Sequence, residues 1–495
     1  MNVQVNNEVV ISGNTRNFSS FINDTIKSRY ESFQAPFSER RVLLITMDSL
    51  IVLLAASGAF VLWQLKDGVF FDASHVLSYW YMFPVLLGGW WMLAWLNDLY
   101  NIPSSVKKVL SFTRITVVGG LGTAIYLVAY FLAPPQTLPR FYYFTFLVIV
   151  LIAIMFWRWM YASLFTMPSF RHCILIVGSG DRGRSIAREL NLASGLNYHV
   201  LGYVEKETTT HDTENDDLPI VGQMADLPHL VKRFQVHEVV VAIERHIDAN
   251  LFQLLIECQA RGVRISLMAD LYEQIYRRVP VEYIDPGWAL QVIQGRAVFN
   301  RLQLSLKRLS DLALGLLALP VWALFVPVIA LAIRLDSPGP IFYRQIRCGR
   351  AGRPFSILKF RTMISDAEKD GKPRWATEND DRITRVGRFL RKARLDELPQ
   401  VLNVLRGEMS FIGPRPERPE FVEELQHQIP FYRARLMVKP GLSGWAQVHY
   451  NYGNSVEDAL IKLQYDLYYL HSWSLWLDLY IIFKTVGVVF KFKGT

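Results

Sequence analysis

Before residue 166 the chain strings together four apolar runs, Val42–Trp63, Val76–Leu96, Ile115–Leu132 and Phe141–Leu164. Each reaches or nearly reaches the roughly 20 residues with which a helix crosses a bilayer. Soluble cores rarely hold four such runs in series, so this third of the chain is expected to form a four-span bundle. The composition agrees: 51% hydrophobic against 20% charged residues, with 13 Trp, excludes a disordered chain and argues against a purely soluble enzyme. Residues 1–40 are polar and lack the short basic region and cleavage site of a signal peptide. Asp48 and Arg158 lie inside the outer runs, each near an end, where snorkelling is the expected accommodation.

Loop charges give the orientation. Arg40 and Arg41 precede the first run, Lys107, Lys108 and Arg114 lie between the second and third, and Arg171 follows the fourth. The other two loops hold Lys66 against Asp67 and Asp72, and then Arg140 alone. The N-terminus and everything after residue 166 are therefore expected on the cytoplasmic face. The net charge of +9 fits such positive flanks or phosphate-rich partners. Three distant cysteines, Cys173, Cys258 and Cys348, give neither a disulfide framework nor a zinc spacing.

At roughly 150 residues per domain, 495 residues allow about three domains. We place a cytoplasmic segment over 1–40, the bundle over 41–166, an α/β domain over 167–296 and a further domain over 300–495. In the α/β domain, the apolar strand His172–Val177 runs into Gly178-Ser-Gly180-Asp-Arg-Gly183 and a helical stretch, Arg184–Leu190. This is a G-x-G-x-x-G turn between strand and helix, where backbone N–H groups can cradle a diphosphate. A second strand, Tyr198–Val204, ends at Glu205, where a dinucleotide fingerprint places its ribose-binding acid. Strands over Glu238–Glu244 and Val263–Met268, with a helix over Ala249–Ala260, complete a Rossmann-like unit. The glycines equally suit a tight strand–helix turn in a structural or regulatory domain. The one Tyr-x-x-x-Lys pair, Tyr480–Lys484, lies far off in an apolar run, so a dehydratase or epimerase chemistry for this unit has no support.

The last third carries the chemistry. Leu312–Ile333 has no charge, contains Pro320 and Pro327, and is flanked by Lys307, Arg308 and Arg334. Basic ends disfavour translocating either one, and proline breaks helices, so a re-entrant helical hairpin over about 305–335 is expected; a kinked fifth span is the alternative. Lys359 and Arg361 stand at a predicted strand end, Phe355–Phe360, where paired cations suit phosphate oxygens or a solvated edge. Ile383–Ala393 reads as a basic amphipathic segment for anionic headgroups. Asp396-Glu397 begins a helical stretch, where carboxylates can simply cap N–H groups. They can also divide phosphoryl chemistry, one attacking phosphorus and the other holding a divalent cation such as Mg²⁺. Arg415, between Pro414 and Pro416, is a stiffened candidate clamp.

These stretches resemble one family. Ser337-Pro-Gly-Pro-Ile-Phe-Tyr-Arg-Gln345, Lys359-Phe-Arg-Thr-Met363, Leu395-Asp-Glu-Leu-Pro-Gln400, Asn403-Val-Leu-Arg-Gly407, Met409-Ser-Phe-Ile-Gly-Pro-Arg-Pro416 and Lys439-Pro-Gly-Leu-Ser-Gly-Trp-Ala-Gln447 are similar to the bacterial sugar transferases. These are the monotopic phosphoglycosyl transferases, and the whole chain resembles their large, exopolysaccharide-type form. The resemblance implies transfer of a sugar 1-phosphate from a UDP-sugar to undecaprenyl phosphate in the bacterial inner membrane, with release of UMP. By carry-over, Asp396 is the nucleophile, Glu397 binds Mg²⁺, and Lys359, Arg361 and Arg415 hold phosphates or nucleotide. Asp466, in Gln464-Tyr-Asp466, matches another polar family position. The family often breaks its re-entrant helix at Ser-Pro; here the pair is Leu319-Pro320. Membrane lipids are expected partners, the bundle leaves room for a homodimer contact, and no nucleic-acid partner is expected. Other classes stand beside this one: a membrane-bound nucleotide-sugar modifying enzyme, weighed above by its Tyr-x-x-x-Lys pair; a nucleotide-sugar synthase of Golgi-type fold, which would normally use an Asp-x-Asp motif absent here; and a non-catalytic scaffold or regulator sensing nucleotide through Gly178–Gly183. The donor sugar is not legible.

Overall fold

The computed structural model describes residues 37–66, 68, 79–101, 105–132, 140–165, 172–192, 198–206, 218–243, 247–284, 301–364, 382–450, 453 and 455–490. The chain divides into two compact units, Met1–Leu267 and Met268–Thr495.

In the first unit the apolar runs become helices Phe37–Lys66, Met82–Leu96, Lys108–Leu132 and Arg140–Phe165. Val52, Phe60, Trp90, Ile115, Val150 and Ile154 fill their common core. Three of these are long and apolar enough to cross a membrane: Arg40–Lys66, Lys108–Leu132 and Arg140–Phe165. The second expected span is helical over only the 15 residues Met82–Leu96, too few to cross alone, and Val76–Ser78 lie outside the described residues. Asp48 and Arg158 do not snorkel. Both are sealed from solvent and pair at 2.6 Å, and Arg158 also donates to the Leu99 carbonyl at 3.1 Å. A charge inside an apolar bundle needs a partner, and these two supply each other's.

The α/β part follows, a parallel sheet in the order β3-β2-β1-β4-β5. Its strands are β1 His172–Val177, β2 Tyr198–Glu205, β3 Ile220–Gln223, β4 Glu238–Val241 and β5 Arg264–Leu267. β4 ends earlier than expected, and Glu244 lies outside the described residues. β3 and the helix Leu227–Phe234 have no counterpart in the sequence reading. Gly178 adopts φ +105°, and a Cβ on Gly183 would stand 2.0 Å from the Gly178 carbonyl oxygen. Only glycine permits that approach of helix to turn.

The second unit opens with helix Met268–Tyr276, which the sequence reading assigned to the α/β domain. It joins this unit through specific bonds: Glu273 accepts from His471 at 2.9 Å, and Trp445 Nε1 donates to the Arg277 carbonyl at 2.8 Å. Val279, Val281 and Ile284 pack against Val422, Tyr432, Leu463 and Leu467.

Helix Arg301–Asp336 is the fourth element long and apolar enough for a membrane. Pro320 and Pro327 both lie inside this one helical element. Each still removes one N–H from the ladder. Its two ends are fixed and its middle is bare. Lys307 pairs with Asp478 at 2.7 Å, Arg308 donates to the Val404 and Leu405 carbonyls, and the Asp311 carboxylate accepts from Ser410 Oγ at 2.9 Å and the Phe411 amide at 3.0 Å. At the far end Ile329 and Ile333 pack on Phe360 and Leu390, and Asp336 accepts from the Val386 amide. Between them Leu316, Leu317, Val321, Leu324 and Val328 are exposed.

Beyond this helix, β6 Phe342–Cys348 and β7 Pro354–Phe360 form an antiparallel hairpin, and β8 Ser410–Ile412 pairs in parallel with β9 Gly441–Ser443. Helix Arg385–Lys392 is amphipathic, burying Leu390 and exposing Phe389 among its basic residues. The C-terminal helix Leu475–Phe490 buries Asp478, Tyr480 and Ile481 and exposes Leu475, Trp476 and Leu479, which joins the interfacial and core readings in one element.

Candidate active site

Antiparallel pairing places Lys359 opposite Tyr343 near the end of β7. The 3₁₀ stretch Leu395–Gln400 then carries Asp396 and Glu397 in its first turn. Asn403, fully buried on the next helix, ties these elements together. Its Oδ1 accepts from the Leu358 amide at 3.1 Å, and its Nδ2 donates to the Ser356 carbonyl at 2.8 Å and to Glu408 at 2.7 Å.

Glu397 is the electrostatic centre. Its Oε1 accepts from Lys359 Nζ at 3.1 Å and from Arg415 Nη2 at 2.7 Å. Burial alone would raise its carboxyl, but Arg415 and Lys359 outweigh burial and hold it well below the usual carboxylate range. Asp396 goes the other way: burial, and then the Glu397 charge beside it, push its carboxyl up. Burial lowers the Lys359 ammonium against the pull of Glu397. Asp396 is half-buried and accepts no hydrogen bond among the described residues, so its oxygens are available to a substrate. Two neighbouring carboxylates thus differ: Glu397 is bonded to two cations, and Asp396 accepts no hydrogen bond among the described residues but feels the charges of Lys359, Arg391 and Arg415.

The sequence-predicted residues do not all converge. Asp396, Glu397, Lys359 and Arg415 do. Arg361 does not, because its guanidinium donates to the Ser337 carbonyl at 2.6 Å and the Pro338 carbonyl at 2.7 Å, clasping the turn after the long helix. Asp466 is buried behind the site and pairs with Arg435 at 2.8 Å. Burial raises its carboxyl to about 6, against the pull of Arg435. Arg435 in turn donates to the Arg415 carbonyl at 3.1 Å. Pro320 lies within the long helix, and no described contact links it to the carboxylates. Gly178, Gly180 and Gly183 belong to the first unit, where Ser179 in the glycine turn donates to Glu205. Sequence reasoning missed the roles of Asn403, Asp311 and Arg435, each of which has a partner some 30 or more residues away.

For Mg²⁺, the donor chemistry fits. Glu397 Oε2 accepts no hydrogen bond among the described residues and is a hard oxygen ligand. No group of three His, Cys, Asp or Glu side chains converges among those residues. Mg²⁺ commonly takes one or two carboxylates and fills its sphere with water and substrate phosphate, so a sparse protein set is compatible with it.

Comparison with known proteins defines the class. Residues 302–492 match the family model described as bacterial sugar transferase, and residues 95–269 match one described as CoA-binding domain. The chain is 38% identical over 237 residues to a UDP-N-acetylgalactosamine-undecaprenyl-phosphate N-acetylgalactosaminephosphotransferase of Aeromonas hydrophila, covering 48% of this chain and 55% of the relative. It is 34% identical to a UDP-glucose:undecaprenyl-phosphate glucose-1-phosphate transferase of Xanthomonas campestris pv. campestris, covering 63% and 65%. It is 33% identical to the protein of the same description in Escherichia coli (strain K12), covering 66% and 68%. The match thus spans less than two thirds of the length of the first two relatives. This chain belongs to the bacterial sugar transferase family and is a membrane protein.

Proposed function

We propose that the chain transfers a sugar 1-phosphate from a UDP-sugar to undecaprenyl phosphate. The supporting observation is an Asp396 that accepts no hydrogen bond among the described residues, beside a Glu397 that gathers Lys359 and Arg415. A carboxylate oxygen of Asp396 attacks the sugar-bearing phosphorus of the UDP-sugar. An O–P bond forms, the diphosphate bridge breaks, and UMP leaves with the bond electrons. A phosphate oxygen of undecaprenyl phosphate then attacks the same phosphorus and displaces Asp396, regenerating its carboxylate. Each step breaks one O–P bond and makes one, so neither needs water or an oxidant. The two steps let one site meet a water-soluble and a lipid substrate in turn.

Lys359 and Arg415 hold phosphate oxygens and offset repulsion between the anionic nucleophile and the diphosphate. Glu397 would hold Mg²⁺, whose chemistry there is to neutralise phosphate charge. Arg361 holds the helix turn and Asp466 the clamp loop, so both act behind the reacting atoms. The long helix is best read as a re-entrant hairpin bent near Pro320. Both its ends are bonded to the same globular unit, and its exposed middle is apolar. The carboxylates then sit at the cytoplasmic face, where UDP-sugars are made, and the product starts an exopolysaccharide repeat. The named relatives use UDP-glucose or UDP-N-acetylgalactosamine, so the donor is a UDP-hexose of that range.

The test is UMP release from a panel of UDP-sugars, using the full chain in detergent with Mg²⁺ and undecaprenyl phosphate. Wild type should act on one sugar far better than the rest, and Asp396→Asn should release none. Equal turnover by Asp396→Asn would remove Asp396 from the mechanism.

A further inference from the structure

We infer that Arg435 is a positioning residue for the phosphate clamp, fixing Arg415 through its main chain; this rests on the reaction proposed above. Arg435 is 5% exposed and lies in the 3₁₀ stretch Tyr432–Met437. One guanidinium nitrogen, Nη2, pairs with Asp466 at 2.8 Å and donates to the Arg415 carbonyl at 3.1 Å. The other, Nη1, donates to the Tyr432 hydroxyl at 2.7 Å and lies 3.9 Å from Glu417. The fork therefore grips both residues that flank Pro416.

The backbone explains why such a grip is needed. Pro414 and Pro416 fix their own φ angles, and Pro416 confines Arg415 to extended conformations. Pro416 thereby narrows ψ of Arg415 to a window of about 40° but does not fix the direction of the Arg415 carbonyl within it. The bond from Arg435 sets that direction, and with it the point from which the Arg415 side chain reaches Glu397 at 2.7 Å. Asp466 is 1% exposed, so the charge of Arg435 is balanced by an equally buried one. A buried ion pair adds little to stability compared with apolar residues of the same volume. Its retention beside the clamp therefore points to geometry. Arg435 forms no hydrogen bond or ion pair with Asp396 or Glu397 among the described residues, so its effect on the reaction runs through Arg415.

Such a residue has a distinctive signature in a double-mutant cycle. With full-length protein, kcat/KM for the UDP-sugar is measured for wild type, Arg415→Ala, Arg435→Gln and the double variant. A displacement of the clamp by about 1 Å is expected to lower kcat/KM about 100-fold in Arg435→Gln. The double variant should fall no more than about threefold below the weaker single variant, because the contact through which Arg435 acts is already gone. Losses that multiply across the cycle would overturn the inference. Arg435→Lys separates positioning from folding: it keeps a charge for Asp466 but loses the planar fork. It should melt close to wild type and still lose kcat/KM, and wild-type kcat/KM in this variant would equally overturn the inference. Wild-type protein that releases no UMP sinks the reaction itself, whereas active wild type with multiplying losses sinks only the role of Arg435.

Discussion

Replacing Asn403 with alanine tests how the site is held. The side chain is fully buried and makes three hydrogen bonds, to the Leu358 amide, the Ser356 carbonyl and Glu408. Truncation leaves a buried amide and a buried carbonyl without that partner, at about 1–3 kcal/mol each, and loses a bond to a charged group. Glu408 is partly exposed and can turn to water, so its share is small. The total is about 4 kcal/mol. The second unit spans Met268–Thr495, and a domain of that size shifts by about 2–4 °C per kcal/mol, so its melting midpoint should fall by about 10 °C. Leu358 immediately precedes Lys359, so loosening this stitch also moves the ammonium that faces Glu397. Thermal unfolding followed by tryptophan fluorescence in detergent reads the first effect, and UMP release at a temperature where the variant is folded reads the second. A midpoint lowered by less than about 3 °C with unchanged turnover would show that Asn403 does not hold β7 to the site.

Three further outcomes are expected. Lys307→Met or Asp478→Asn alone strands one buried charge and should cost about 3–5 kcal/mol, whereas Lys307→Met with Asp478→Leu should recover most of it; a double variant no better than the worse single one would deny that the pair acts as a unit. Asp466 has a folded-state pKa raised to about 6 by burial, above an unfolded value near 3.9, so its contribution is present at low pH and lost as pH rises from about 4 to 6. The loss approaches about 3 kcal/mol, and Asp466→Asn should remove it, so identical pH–stability curves for the two proteins would exclude this assignment. Gly183→Ala sets a methyl group against the Gly178 carbonyl and should destabilise the first unit by about 1–3 kcal/mol, read as faster proteolysis within 172–267; unaltered cleavage would show that the turn yields.

Much of this arrangement is legible in the sequence where contacts are local. β1 and the helix Ala249–Ala260 are observed with the expected bounds, because an apolar run ending at a glycine turn and a helix beginning after Asp248 carry their own signals. The Asp396-Glu397 pair and its partners Lys359 and Arg415 were legible through their motifs. The role of Arg361 was not. Period-two alternation puts residues 359 and 361 on one face of a strand, but β7 ends at Phe360, so the alternation stops before Arg361 and its side chain turns to the 337–338 carbonyls. Asp311 was hidden for another reason. It lies beside an apolar run, and its partners Ser410 and Phe411 are some hundred residues away. Asn403 and Arg435 are likewise defined by what they bond rather than by what flanks them. Proline spacing marked a special helix, but its full extent from Arg301 to Asp336 was not legible.

The end of β7 acts as a depth gauge. Three consecutive residues face three ways: Lys359 to Glu397, Phe360 into the contact with Ile329 and Ile333, and Arg361 to the carbonyls that follow the long helix. Successive strand residues are separated by about 3.3 Å, so Glu397 lies within about a side chain's length of the turn that follows the long helix. With the re-entrant helix and the reaction proposed above, that turn lies at the membrane surface and the chemistry at the height of a lipid phosphate. For the proposed reaction, an acceptor is judged by where its headgroup sits, and the length of the isoprenoid chain below that plane goes unmeasured.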